Sequence, residues 1–191
     1  MATTPFVTKL VQLTQAEHDK FHLDDEHDPK LSAEIKSFWK ELGFTFPGVN
    51  TAWSAVFVSA CMQRAGATSA EFRFAAAHSE FVFKAIQNQK MNTGVFRGVR
   101  ITEKAPELGD VIHNNRGGQT ITYNFAANHS AYLSHSAIVV GFAQEAGSRF
   151  ALTVGGNEAN SIRTKRVLLD ASGLIVQRKK DPFICLIKNL K

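Results

Sequence analysis

The chain has 191 residues, 44% hydrophobic and 20% charged, an ordinary globular composition with enough length to bury a sizeable core. A formal charge of +5 favours anionic partners by long-range steering, but the excess is scattered. Only Arg178, Lys179 and Lys180 form a run, which reads as a solvated turn rather than a nucleic-acid surface.

Two cysteines, Cys61 and Cys185, are too few and too apolar in context for a disulfide framework or a metal cluster; both read as buried small hydrophobes. No apolar run approaches the ~20 residues needed to cross a bilayer. Residues 1–21 lack the charged, apolar and small-residue blocks of a signal peptide. The expectation is a chain made in the cytoplasm that, if it acts outside, reaches the periplasm or cell wall by another route.

Val7, Leu10, Val11, Thr14, His18 and Phe21 fall at helical spacing and predict a first amphipathic helix. It runs into a polar segment ending at Pro29. There Asp24, Asp25, Glu26, His27 and Asp28 lack the alternate spacing and the glycine of a calcium loop, so a linker or helix cap is expected. A second helix over 32–42 places Ile35, Phe38, Trp39 and Leu42 on one face, and the turn from Gly43 to Val49 follows.

The stretch from Trp53 to Gly66 predicts a buried helix, with Phe57, Val58, Cys61, Met62 and Ala65 at helical spacing, Gly66 as its stop and Asn50 or Thr51 as its cap. Ser54 then sits in the first turn, where unpaired backbone N–H groups and the helix dipole favour an anion. Another helix, roughly 69–88, carries Phe72, Ala76, Phe81, Phe83 and Ile86 around a lone His78.

After Gly94 the pattern changes to short β-rich runs at 109–112, 136–142, 149–154, 162–169 and 183–187, mostly joined by short Gly, Asn and Asp turns. Helices first and an antiparallel sheet second argue an α+β fold rather than alternating α/β. Residues 113–134, rich in Asn, Gly and Ser and bearing His113, Arg116, His129 and Tyr132, read as a long loop of the kind that is often functional. The whole chain, 1–191, is read as a single domain, with a helical extension over 1–49 and a core over 50–191.

Three elements combine chemically. Ser54 opens a helix, His135 starts a strand and Asn157 follows the strand ending in Gly155 and Gly156, giving the order nucleophile, base, orienting residue. A hydroxyl is far more basic than a thiol, and a dipole worth roughly 0.3 to 2 kcal/mol cannot ionise it, so Ser54 acts only if His135 removes its proton during attack.

Cys61 lies two turns along the same helix, about 10 Å from its mouth, and reads as core. Trp53 reads as a wall beside the nucleophile. His78 is either a core histidine or a site-facing one; Asp110 caps its strand, bonds across the loop or takes a direct part. Arg116 either clamps a carboxylate or is solvated, and Asn157 either orients the base or makes a turn.

Trp53-Ser-Ala-Val-Phe-Val-Ser, Pro106-Glu-Leu-Gly-Asp-Val-Ile112, His135-Ser-Ala-Ile-Val-Val140 and Gly155-Gly-Asn157, in this order and spacing, resemble the CHAP amidohydrolase/peptidase superfamily and its NlpC-like relatives. Within that group the closest likeness is to the domain-of-unknown-function family numbered 2272. The resemblance covers about residues 50–160. It implies a papain-like fold that cleaves amide bonds, most often in peptidoglycan stem peptides or cross-bridges, with no cofactor and no metal. CHAP enzymes place a catalytic cysteine where this chain has Ser54.

The expected function is therefore a bacterial cell-wall hydrolase, an amidase or endopeptidase. Ser54 attacks, His135 shuttles the proton, Asn157 holds the imidazole and N–H groups at the helix start bind the oxyanion. By analogy the partners are a peptidoglycan peptide, a secretion apparatus or phage lysis for delivery, and an immunity protein if the chain is an antibacterial effector; no nucleic acid or membrane is expected. The rival readings are a non-catalytic wall- or protein-binding module that has lost the thiol, and an esterase or acyltransferase on the same scaffold.

Overall fold

The computed structural model describes residues 3–191. Helix α1 (Pro5–Phe21) starts where Thr4 accepts the Val7 N–H at 3.2 Å and Pro5 occupies a position that needs no donor. It buries Phe6, Val7, Leu10, Thr14 and Phe21; α2 (Pro29–Glu41) buries Leu31, Ile35, Phe38 and Trp39.

The acidic segment between them folds as turns rather than as a free linker. Asp28 accepts the Asp25 N–H at 2.8 Å, and His27 bridges Asp25 at 2.8 Å and Asn50 at 3.0 Å. Glu26 turns inward and accepts the Trp53 indole N–H at 2.8 Å. The segment thereby fixes the residue that precedes Ser54.

Helix α3 (Ser54–Ala65) is buried on nearly every side and ends at Gly66, whose φ of 111° is left-handed backbone that suits glycine. Neither Asn50 nor Thr51 caps it. The capping position is Trp53, which makes no side-chain cap bond, so the first-turn N–H groups are left to other partners. At the far end Arg64 reaches Glu17 of α1 and Glu34 and Glu41 of α2 at 2.8, 2.8 and 2.6 Å, tying α3 to both neighbours.

The predicted helix over 69–88 begins nine residues late. Residues 69–77 form turns and bends, and α4 spans His78–Met91. A tertiary contact takes the backbone here: Ser59 of α3 receives the Ala75 N–H at 3.1 Å and donates to the Ala75 carbonyl at 3.0 Å. Pinning Ala75 to α3 brings the start of α4 to the start of α3.

Six antiparallel strands follow: β1 (Phe96–Val99), β2 (Val111–Asn115), β3 (Ser134–Glu145), β4 (Ser148–Gly155), β5 (Arg163–Leu169) and β6 (Phe183–Asn189), in the spatial order β1-β6-β2-β3-β4-β5. β1 was not anticipated. Its Gly98 admits α4, because a Cβ there would lie 2.6 Å from the Ile86 side chain. Ala146 and Gly147, both at positive φ, make the two-residue turn between β3 and β4.

The fold is thus α+β. α3 packs against α1, α2 and the central strands β3 and β4, and a second apolar cluster of Ile112, Val139, Ala151, Val167, Phe183 and Leu186 fills further core. The loop predicted over 113–134 is shorter: its first residues belong to β2, Ser134 opens β3, and a short helix α5 (Tyr123–Ala126) interrupts the rest. Among the described residues no helix is long and apolar enough to cross a membrane.

Candidate active site

Ser54 is the first residue of α3 and His78 the first of α4. Ser54 Oγ lies 2.7 Å from His78 Nε2, so the N-termini of two helices meet at one hydrogen bond. The pair is closed to solvent, with Ser54 2% and His78 5% exposed. Burial, followed by the charges of His135, His113 and Arg116, holds His78 well below the usual histidine range and keeps it neutral.

His135, the second residue of β3, presents its ring edge-on to His78 with centroids 5.3 Å apart. Its Nε2 is 2.7 Å from Glu158 Oε1, with the oxygen off the ideal direction of an N–H bond. Lys165 of β5 pairs with the other carboxylate oxygen. Burial alone would raise the Glu158 carboxyl, but His135 and Lys165 outweigh it and bring it down to about 2.

Turn chemistry delivers that carboxylate. Asn157, Ala159 and Asn160 all have positive φ, and the Glu158 N–H closes the turn onto the Ser161 carbonyl at 2.9 Å. Ser161 in turn donates to the Phe21 carbonyl at 3.0 Å. Gly155 and Gly156 permit close approach on both sides: a Cβ at Gly155 would lie 2.9 Å from His135 Nε2, and one at Gly156 would lie 2.6 Å from both Phe57 and Trp53. The two glycines therefore press the His135 imidazole and its turn against the mouth of α3.

A third buried imidazole stands beside these. His113 and Ser136 are paired across β2 and β3, with Nδ1 to Oγ 2.7 Å apart, and His113 Nε2 is 3.2 Å from the Tyr132 hydroxyl. Its ring centroid is 6.4 Å from that of His78. Burial and the neighbouring His135 push His113 down to about 3. Through Tyr132 the loop after β2 closes against the histidine cluster.

The sequence-derived site is only partly reproduced. Ser54 is bonded to His78, and neither ring nitrogen of His135 has a directed hydrogen-bond partner. The residue at the His135 imidazole is Glu158, one place beyond Asn157; Asn157 adopts left-handed backbone at φ 53°, which its short polar side chain tolerates. Of the two readings of Asn157 the turn is the one seen, and the sequence does not single out Glu158 because a Gly-Gly-Asn turn does not reveal which following side chain points inward. Three positive-φ residues in four do not follow a periodic pattern.

The other singled-out residues sort clearly. Trp53 is fully buried against Glu26 and Gly156. Asp110 accepts from Glu107 N at 2.7 Å, Asn189 N at 2.8 Å and Lys188 Nζ at 2.5 Å, a bond across to β6, and burial pushes it up to about 6 against the pull of Lys188. Arg116 is exposed. Cys61 is buried in the core and its thiol is pushed up to about 12. Among the described residues no group of three or more His, Cys, Asp or Glu side chains is arranged to hold a metal ion.

The arrangement bonds the Ser54 hydroxyl to one imidazole, His78, whose ring stands against a second, His135, itself backed by an ionised carboxylate, where the N-termini of two helices meet. No curated protein and no solved structure matches the chain. Residues 19–184 match a family described as "Uncharacterized protein conserved in bacteria". The chain belongs to that family, DUF2272.

Proposed function

We propose that the chain is a papain-like hydrolase of the CHAP/NlpC kind that cleaves amide bonds in bacterial cell-wall peptides through Ser54, His135 and Glu158. The observation that carries this reading is the meeting of Ser54, at the first turn of α3, with a buried imidazole pair, one ring of which holds a carboxylate at 2.7 Å. The four ordered motifs supply the substrate class, and the helical first half with its antiparallel second half is compatible with the papain-like layout.

In acylation the Ser54 oxygen bonds to the amide carbonyl carbon while its proton moves to His135 Nδ1, and the carbonyl π electrons move onto oxygen. N–H groups at the uncapped start of α3 face that oxyanion. Collapse re-forms the carbonyl, breaks the C–N bond and returns the proton from His135 to the departing amine. Water, deprotonated by His135, then hydrolyses the acyl ester and restores Ser54. Glu158 compensates the charge on the imidazolium throughout.

The burial of Ser54, 2% exposed, favours a second reading, a binding module with a closed and silent cleft. Incubating purified sacculi with wild type, Ser54→Ala and Ser54→Cys, and identifying fragments by mass spectrometry, separates the two. New amine and carboxyl termini released by wild type and not by Ser54→Ala support the hydrolase. Cleavage by Ser54→Cys alone supports a module that has lost its thiol, and turnover of ester substrates with intact sacculi points to an esterase.

A further inference from the structure

Resting on the reading that Ser54 is the nucleophile, we propose that His78 is a second catalytic imidazole that acts as a neutral Nε2–H donor to Ser54 Oγ and never as the base. A neutral imidazole carries one N–H, and its position follows from the partners available. His78 Nδ1 is buried without a partner, whereas Nε2 is 2.7 Å from Ser54 Oγ. A proton on Nδ1 would leave an orphaned buried donor, the rarer and costlier defect; a bare Nδ1 leaves only an unfilled acceptor.

The same logic fixes His135 in the same tautomer with the opposite task. Its Nε2 faces a carboxylate, which only accepts, so the proton is on Nε2 and the lone pair of buried Nδ1 is free. Ser54 therefore receives an N–H from His78 and does not commit its own O–H to that ring; His135 Nδ1, unbonded at rest, takes that proton during attack. When the serine proton leaves, the His78 N–H remains on Oγ and stabilises the alkoxide character that develops there. His78 keeps its proton through the cycle, and the only transferred proton is the one His135 Nδ1 takes and returns.

The surroundings of His78 oppose any other role. Burial, then His135 and His113 from the sheet and Arg116 from the loop, and the N-termini of α3 and α4 all disfavour a positive charge on it, and neither of its nitrogens bonds a carboxylate. His135, by contrast, has Glu158.

Nitrogen-15 NMR of the ring nitrogens in the full-length, unliganded wild type reads the tautomer without needing turnover. The proposal expects His78 to show a protonated Nε2 and a bare Nδ1 that do not titrate between about pH 5 and 8. A protonated Nδ1, or titration of the ring in that range, overturns it. Kinetics on sacculi supply the second arm. His78→Gln, which returns an amide N–H near the position of Nε2, should lose at least ~10-fold less activity than His78→Ala and keep the wild-type pH profile. Equal loss in both variants, with a changed profile, would make His78 the base and end the proposal. A wild type without turnover counts against the hydrolase reading, and the tautomer measured in the same sample still decides the assignment of His78.

Discussion

Glu158 Oε1 lies 2.7 Å from His135 Nε2, so a carboxylate that the sequence offers no direct sign of is the group that stands at that imidazole. Burial works against its ionisation, but His135 and Lys165 bring it from an ordinary 4.5 to about 2. A carboxyl lowered on folding contributes stability that is present above pH 4.5 and lost as pH falls toward 2. Urea midpoints should show wild type losing about 2 to 3 kcal/mol over that window relative to Glu158→Gln. At neutral pH Glu158→Gln should cut hydrolysis by roughly 10²- to 10⁴-fold, because the neutral amide neither fixes the imidazole nor compensates its charge.

Gly156 is the contact through which the turn carrying Glu158 meets α3. Gly156→Ala puts a methyl 2.6 Å from Phe57 Cβ and Trp53 Cζ3, and neither buried side chain has room to yield. The expected cost is about 1 to 3 kcal/mol in chemical denaturation. Activity per folded molecule should also fall, since the helix mouth and the His135 turn are pushed apart. Unchanged activity would mean that their close approach is not needed.

Asp110 separates structural from catalytic chemistry. It is fully buried and holds Lys188, the start of β2 and the Asn189 backbone of β6 together. Asp110→Ala leaves Lys188 with Glu107 as its carboxylate partner and should destabilise by about 3 to 5 kcal/mol. Assayed at a temperature where the variant is folded, turnover should be close to wild type. A loss of turnover in fully folded protein would return Asp110 to the site.

Much of the framework is legible from periodicity: α1, α2 and α3 and five of the six strands lie where their apolar spacing puts them, give or take a few residues. β1 escapes because it has four residues, one a glycine that serves helix packing. Residues 69–77 carry helical spacing yet form turns, and Ser59 of α3 takes both backbone groups of Ala75 there. In the site, Ser54 and His135 are marked by ordered motifs and His78 stands out as a lone histidine, core or site-facing, while Glu158 carries no sign. His78 is brought in by the late start of α4, and Glu158 by three left-handed residues around it. Both effects belong to turn geometry and tertiary contact, which leave no period in the sequence.

The central claim is that Ser54 is a nucleophile activated by His135. It is tested most directly by reacting the folded protein with a fluorophosphonate and mapping the adduct by peptide mass spectrometry. The account predicts one phosphonyl group on Ser54 in wild type, none there in Ser54→Ala, and labelling slowed by about 10²-fold or more in His135→Ala and Glu158→Gln. An unlabelled Ser54 in folded wild type, or labelling at an undiminished rate without His135, would contradict it.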